Sequence, residues 1–163
     1  MDKGNTTRGL QQVQKAWQAC VQSGGFDSAL SSNLRIVSVS EEGEVICQFK
    51  VENDHLNVYN GLHGGYISTL IDIGGSLAIT YKGGFASGVS TDLSVSFIST
   101  ATAGDLITVR SRCDKLGKSM AYSTTEILKK NPKTQADELI ACGRHTKFVL
   151  LSRQENDKLK SNL

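Results

Sequence analysis

The stretch that most limits what this chain can become runs from Gly64 to Tyr81, where Tyr66, Ile67, Leu70, Ile71, Ile73, Leu77, Ala78 and Ile79 leave almost no polar face at helical spacing. A helix that is apolar all round is a buried helix. Other elements must wall it in, and 163 residues with 39% hydrophobic content supply one core and one domain rather than two. Those walls read as strands. From Asn33 the apolar period changes to two, with Leu34 and Ile36, then Val45, Cys47, Phe49 and Val51, and Glu41-Glu42-Gly43 as the turn of a hairpin. Further strand-like runs cover Gly88 to Ser99, Asp105 to Asp114, Ser119 to Lys129 and Leu139 to Leu151, with turns at Thr102-Ala103-Gly104, Leu116-Gly117-Lys118 and Asn131-Pro132-Lys133. Connections this short favour antiparallel neighbours. The expected class is α+β, a long central helix enclosed by a largely antiparallel sheet of about five or six strands.

Ahead of the domain, Leu10, Val13, Trp17 and Val21 recur at helical spacing from Arg8 to Ser23, and Gly24-Gly25 stops them. Residues 1–26 are thus expected to be a helical segment packing on the domain, 27–152 the domain itself, and 153–163 a polar tail, with both chain ends (Met1 to Thr7, Arg153 to Leu163) frayed.

A net charge of +2, no dense basic block and 6% aromatics lack the electrostatic footprint of a nucleic-acid binder. No stretch approaches the roughly 18 uncharged apolar residues of a membrane span, and the amino terminus has no apolar core of a secretory signal. A soluble intracellular protein is expected. Lys3, Arg8 and Lys15, with few acidic residues before Asp27, give a weak mitochondrial transit character, so cytoplasm and mitochondrion both stand. Cys20, Cys47, Cys113 and Cys142 form no CxxC pair, which argues for free thiols and against zinc or a disulfide framework.

The chemistry-bearing stretch is Asn57-Val58-Tyr59-Asn60-Gly61-Leu62-His63-Gly64-Gly65, which leads directly into the apolar helix. Unpaired amides and the positive dipole end at a helix start favour an oxyanion, and glycines there let a carbonyl approach the backbone. Equally, Gly64-Gly65 can be a tight entry turn with His63 satisfied locally. Asp72 sits between Ile71 and Ile73, where an ionised carboxylate is costly unless something hydrogen-bonds it. Two readings follow: a functional carboxylate, or a structural acceptor for hydroxyls such as Ser68, Ser76 or Ser90. Gly74-Gly75 costs about 1 kcal/mol of helix propensity per glycine, which a close backbone approach would offset.

Asn57, Leu62-His63-Gly64-Gly65, Asp72, Gly88-Val89-Ser90-Thr91-Asp92-Leu93 and Gly143-Arg144-His145-Thr146-Lys147, in this order over about residues 10 to 150, resemble the hotdog-fold acyl-CoA thioesterases of the thioesterase superfamily member 2 and phenylacetyl-CoA thioesterase type. The resemblance implies a long helix wrapped by a curved antiparallel sheet, in dimers that pair into homotetramers. It implies that Asp72 is the general base or nucleophile and that the Gly64 amide polarises the thioester carbonyl. Asn57 and His63 would help hold the carbonyl or water, and Ser90 would orient the water against Asp72. Coenzyme A, as part of the substrate and as product rather than as a cofactor, would lie on the turn Lys115, Gly117, Lys118 and Ser119 and on the strand end Phe97, Ile98 and Ser99. Arg144 and Lys147 are further candidates from their charge, although charges at a strand's solvent face are usually just solvated. The sequence departs from the family pattern at Asn60, where a glycine is usual, and at Thr100, where a proline is common.

Thioester hydrolysis needs a nucleophile and donors aimed at a developing oxyanion, and no metal. Ser90, His63 and Asp72 could alternatively form a serine hydrolase triad, but Ser90 lacks the GxSxG elbow. A hotdog dehydratase or hydratase would need a catalytic His with Glu or Asp, and His55 and His145 lack the matching motif. A non-catalytic acyl-CoA-binding protein would use the same pocket without turnover.

Overall fold

The computed structural model describes residues 3–30, 33–84 and 86–161. Helix α1 (Lys3–Gln22) and the short α2 (Phe26–Leu30) precede a hairpin of β1 (Arg35–Val39) and β2 (Val45–Lys50), closed by Gly43 at φ 85°. A 3₁₀ turn at Asn53–His55 and a loop then lead into the central helix α3, Gly64–Gly83. Strands β3 (Val89–Phe97), β4 (Leu106–Leu116), β5 (Met120–Lys130) and β6 (Asp137–Phe148) follow, and α4 spans Leu150–Ser161. All pairings are antiparallel, in the order β1-β2-β4-β5-β6-β3.

That order corrects one expectation. Residues 98–105 connect strands that are not neighbours, because β3 pairs with β6 at the sheet's far edge. The span crosses three strand spacings, about 14 Å at 4.8 Å each, which eight residues reach easily. Two further corrections concern the ends. Lys3–Thr7 is helical, and β6 stops at Phe148, where buried Val149 donates its N–H to Ser119 and Arg153 N–H bonds back to Val149, opening α4 in place of a frayed tail. Residues 1–2 and 162–163, also expected to fray, lie outside the described residues.

The sheet curves around α3, whose Tyr66, Ile67, Leu70, Ile71, Leu77 and Ala78 join Ile107, Val109, Ile127, Ile140 and Ala141 in one core. Helix α1 closes the remaining side, burying Val13 completely and Trp17 to 9% exposure. Gly74 and Gly75 do offset their propensity cost by close approach, but of side chains rather than backbone. A Cβ at Gly74 would collide with Ser111 Oγ, and one at Gly75 would lie 2.6 Å from Ser123 Oγ and 3.1 Å from His145 Cβ. All four cysteines are free, and burial pushes the Cys47 thiol up to about 12. Among the described residues no helix is long and apolar enough to cross a membrane.

Candidate active site

Two clusters of the expected residues lie along α3. The first surrounds its amino terminus. Asn57 Oδ1 accepts from the Tyr59 and Gly61 amides at 2.9 and 3.2 Å, so its carbonyl is spent on the loop and its NH₂ is left to donate. Asn60 sits at φ 60°, a left-handed conformation that asparagine tolerates, so the loop keeps its turn without a glycine at this position. Gly61 makes room for Thr100, whose Oγ1 would lie 2.6 Å from a Cβ there. His63 caps α3, its Nδ1 accepting from Gly65 N–H at 2.9 Å, which puts the neutral ring's proton on Nε2. The Gly64 amide, first in the helix, has no intrahelical acceptor and stands beside the Phe97 ring.

Two turns further on is the second cluster. Asp72 is not buried, as its apolar neighbours suggested. Its side chain is 44% exposed, because the i±4 row Ser68–Asp72–Ser76 forms the one polar stripe of α3. That stripe faces a cavity of about 850 Å³, roofed by Ala16, Trp17 and Cys20 of α1 and Phe26 of α2, and bounded by Ile73, Leu77 and the start of β3. The volume suits a drug-sized or acyl ligand.

Around Asp72 the hydrogen bonding runs through β6. Ser76 Oγ donates to Asp72 Oδ1 at 3.3 Å, and Lys147 Nζ donates to Ser76 Oγ at 2.8 Å and to Ser90 Oγ at 3.4 Å. Lys147 Nζ and His145 Nδ1 lie 3.9 and 3.7 Å from the carboxylate. Ser90 lines the cavity, but its direct partner is His145 Nε2 at 2.9 Å rather than Asp72. Ser90 is aimed there by the bulge at Thr91, where the β3–β6 register shifts, and by Gly88 at φ 76°, where a Cβ would strike the Phe148 carbonyl. Burial pushes the Lys147 ammonium below its ordinary pKa while Asp72 pulls it back up.

Lys147 is therefore the residue that sequence reasoning misplaced, and His145 the one to which it gave no role. Lys147, expected to touch coenzyme A from a solvent face, has a side chain only 7% exposed and points inward, whereas Arg144 points outward. The available signal was strand parity: Ala141, Gly143, His145 and Lys147 alternate on the inward face. Within one chain Ser90 and His63 are not brought together, since His63 caps the start of α3 and the imidazole on Ser90 is that of His145.

The two coenzyme segments are not brought together either. Lys115, Gly117, Lys118 and Ser119 turn at the end of the sheet where Val89 pairs with Phe148. Phe97, Ile98 and Ser99 lie at the other end, beside Ala141 and Ile140, with Ser99 bonded to Glu138. Lys115 and Lys118 are exposed, as are Phe97 at 58% and Ile98 at 54%.

Residues 59–136 match the family model described as Thioesterase superfamily. A putative esterase of Schizosaccharomyces pombe is 41% identical over 144 residues, covering 88% of this chain and 86% of the relative. Acyl-coenzyme A thioesterase 13 of Homo sapiens is 33% identical over 139 residues, covering 85% and 95%. The crystal structure of zebra fish thioesterase superfamily member 2 superposes with a TM-score of 0.72 at 35% identity, covering 85% of this chain and 96% of that one.

Proposed function

The chain belongs to the thioesterase superfamily and is a thioester hydrolase, and from that premise we propose that it hydrolyses a fatty or aromatic acyl-CoA to the free acid and coenzyme A. The observation that carries this reading is Asp72, a half-open carboxylate on the wall of a largely apolar cavity with the Ser90 hydroxyl at the same wall. Asp72 acts as general base: it takes a proton from water as the water oxygen bonds to the thioester carbon, and the carbonyl electrons move onto oxygen. The Gly64 amide and the Asn57 NH₂ hold that oxyanion, with His63 Nε2–H as a further donor. Collapse expels the coenzyme A thiolate.

One helix cannot bring both halves to one carbonyl. Gly64 and Asp72 are eight residues apart, about 12 Å at 1.5 Å per residue, while groups acting on one thioester work at about 3 Å. The donors therefore come from Gly64 and Asn57 of the partner subunit in a homodimer with antiparallel α3 helices, itself paired into a homotetramer. Edge strand β3, with Val89 at 64%, Leu93 at 39% and Phe97 at 58% exposure, supports that assembly, because an unpaired apolar edge is a surface that a second copy can cover. The same pairing would unite the Lys115–Ser119 turn of one chain with the Phe97–Ser99 strand end of the other on coenzyme A.

The test is Asp72→Asn, followed by free-thiol release from acyl-CoAs of graded length. Turnover should fall at least ~10²-fold while acyl-CoA binding persists. Turnover within a few-fold of wild type would remove Asp72 from the mechanism, and wild-type protein that binds without releasing thiol would mark an idle acyl-CoA binder.

A further inference from the structure

The imidazole of His145 is completely enclosed, its side chain 0% exposed, yet it sits inside the polar cluster of the active site. Glycine at position 75 leaves it room: a Cβ there would lie 3.1 Å from both His145 Cβ and Nδ1, closer than the ring takes without shifting. Its Nε2 is 2.9 Å from Ser90 Oγ, whereas its Nδ1 is a buried nitrogen with no hydrogen-bond partner, 3.7 Å from the Asp72 carboxylate. A neutral imidazole carries one proton, so one nitrogen donates and the other accepts. With the proton on Nε2, a bare lone pair on Nδ1 would be buried facing a negative charge, an unsatisfied acceptor in its worst surroundings. With the proton on Nδ1, the N–H faces the carboxylate and Nε2 is free to accept. Burial favours the neutral ring, lowering the His145 pKa against the opposing pull of Asp72.

The inventory at Ser90 then closes. A hydroxyl has one proton and two lone pairs. Its proton goes to His145 Nε2 and one lone pair receives Lys147 Nζ, 3.4 Å away. One lone pair is left on the cavity side, where Ser90 is exposed.

We propose that His145 is a positioning residue for hydrolysis: by holding the Ser90 proton it makes Ser90 an acceptor only, which takes one hydrogen of the attacking water and turns the other toward Asp72. This rests on the hydrolase reading above. The water's lone pair is then the part left for the thioester carbon. As the O–C bond forms, the water's second proton passes to Asp72 and the carbonyl π electrons move to oxygen, and His145 exchanges no proton in the step. Ser90, His145 and Asp72 follow the order of a nucleophilic-serine triad, but with exposure inverted. Here the histidine is enclosed and the aspartate half open. An imidazolium formed in that enclosure could not reach a leaving thiolate, while Asp72 reaches the cavity directly.

The experiment uses the full chain and begins with thiol release by the wild type. His145→Phe, which cannot accept the Ser90 proton, should lower kcat by about 10–100-fold with KM within about threefold, and His145→Gln, whose Oε1 can accept it, should recover part of the loss. In a Ser90→Ala background His145→Phe should add less than about twofold, since the effect passes through Ser90. Fully additive losses, an unchanged kcat, or equal loss in the Phe and Gln variants would overturn the assignment. So would a mass-spectrometric acyl adduct on Ser90 during turnover. Nitrogen-15 NMR of the wild-type imidazole gives a readout that needs neither folding of a variant nor activity: Nδ1 protonated and Nε2 bare at pH 7.5 is expected. The reverse tautomer or an imidazolium sinks the proposal. Absence of thiol release alongside the expected tautomer would instead count against the hydrolase reading.

Discussion

Gly75 shows how a single missing side chain sets the chemistry beside it. Alanine there gains about 1 kcal/mol of helix propensity, but its Cβ lies 2.6 Å from the buried Ser123 Oγ and 3.1 Å from His145 Cβ and Nδ1, so these side chains must shift. Overpacking of this kind costs about 1–3 kcal/mol, and each hydrogen-bonded neighbour that shifts adds to it. Gly75→Ala should therefore lower stability by a net ~1–2 kcal/mol, read as a lower urea midpoint, and reduce kcat as His145 is displaced. Gly25, which has open space around its Cβ position, is the control, with Gly25→Ala expected within about 0.5 kcal/mol of wild type. The enclosed His145 also has a pH signature. Its pKa is lowered in the fold from the ordinary 6.5, chiefly by burial, with Asp72 and Asp92 opposing and Lys147 reinforcing. The unfolded chain thus binds more protons just below pH 6.5, so the His145 contribution is whole above that value and drains as pH falls toward the folded pKa. Urea midpoints at pH 7.5 and 5.5 should diverge more for wild type than for His145→Phe; equal differences would mean that the ring is not held neutral. At this scale the sequence was half legible. Asp72 and Ser76 could be found, because a charge amid apolar residues and an i+4 polar row are local signals, whereas the water-orienting role of Ser90 was implied only by the family resemblance. The partnership of Ser90 with His145 joins residues 55 apart, and only the β3–β6 register creates it.

Elements tell a similar story. The apolar run of α3, the β1–β2 hairpin and the four later strands follow from periodicity, and their bounds in the fold differ by a few residues from those read in the sequence. What periodicity does not carry is which strand pairs with which. The eight residues after β3 look like a hairpin connection, yet β3 belongs beside β6, since a sheet curled around a helix brings distant strands within reach of a short connection. Helix α1 is equally ambiguous in sequence, an amphipathic stretch that could pack anywhere. In the fold it roofs the cavity, and Trp17 is its largest buried side chain. Trp17→Ala should cost about 3–5 kcal/mol of stability by leaving a void. If acyl chains lie under α1, it should also raise KM several-fold for the acyl-CoAs long enough to reach the indole, with kcat nearly unchanged. A KM rise independent of chain length would take α1 out of the acyl pocket and leave it a purely structural cover.

At the scale of the whole molecule the geometry of one chain is insufficient for the chemistry it carries. The proposed oxyanion donors and the carboxylate stand two turns apart on a rigid helix, and the two segments proposed for coenzyme A stand at opposite ends of β3, nine residues or about 30 Å at 3.3 Å each. No side-chain rearrangement closes either gap. In the proposed homodimer a twofold axis relating antiparallel α3 helices would close both at once, since it would set each amino terminus against the other chain's Asp72 and form two shared sites. Asn57→Ala and Asp72→Asn then damage opposite halves of a site. Each homodimer of one variant is defective twice over, but a mixed dimer concentrates both defects in one site and leaves the other intact. Random reassortment of equal amounts makes half the dimers mixed, each with one working site of two, so co-refolding should restore about a quarter of wild-type turnover by symmetry. Thiol release before and after co-denaturing the two inactive variants measures it. Recovery near a quarter requires donors and base on different chains, whereas no recovery despite demonstrated subunit exchange would return both roles to a single chain.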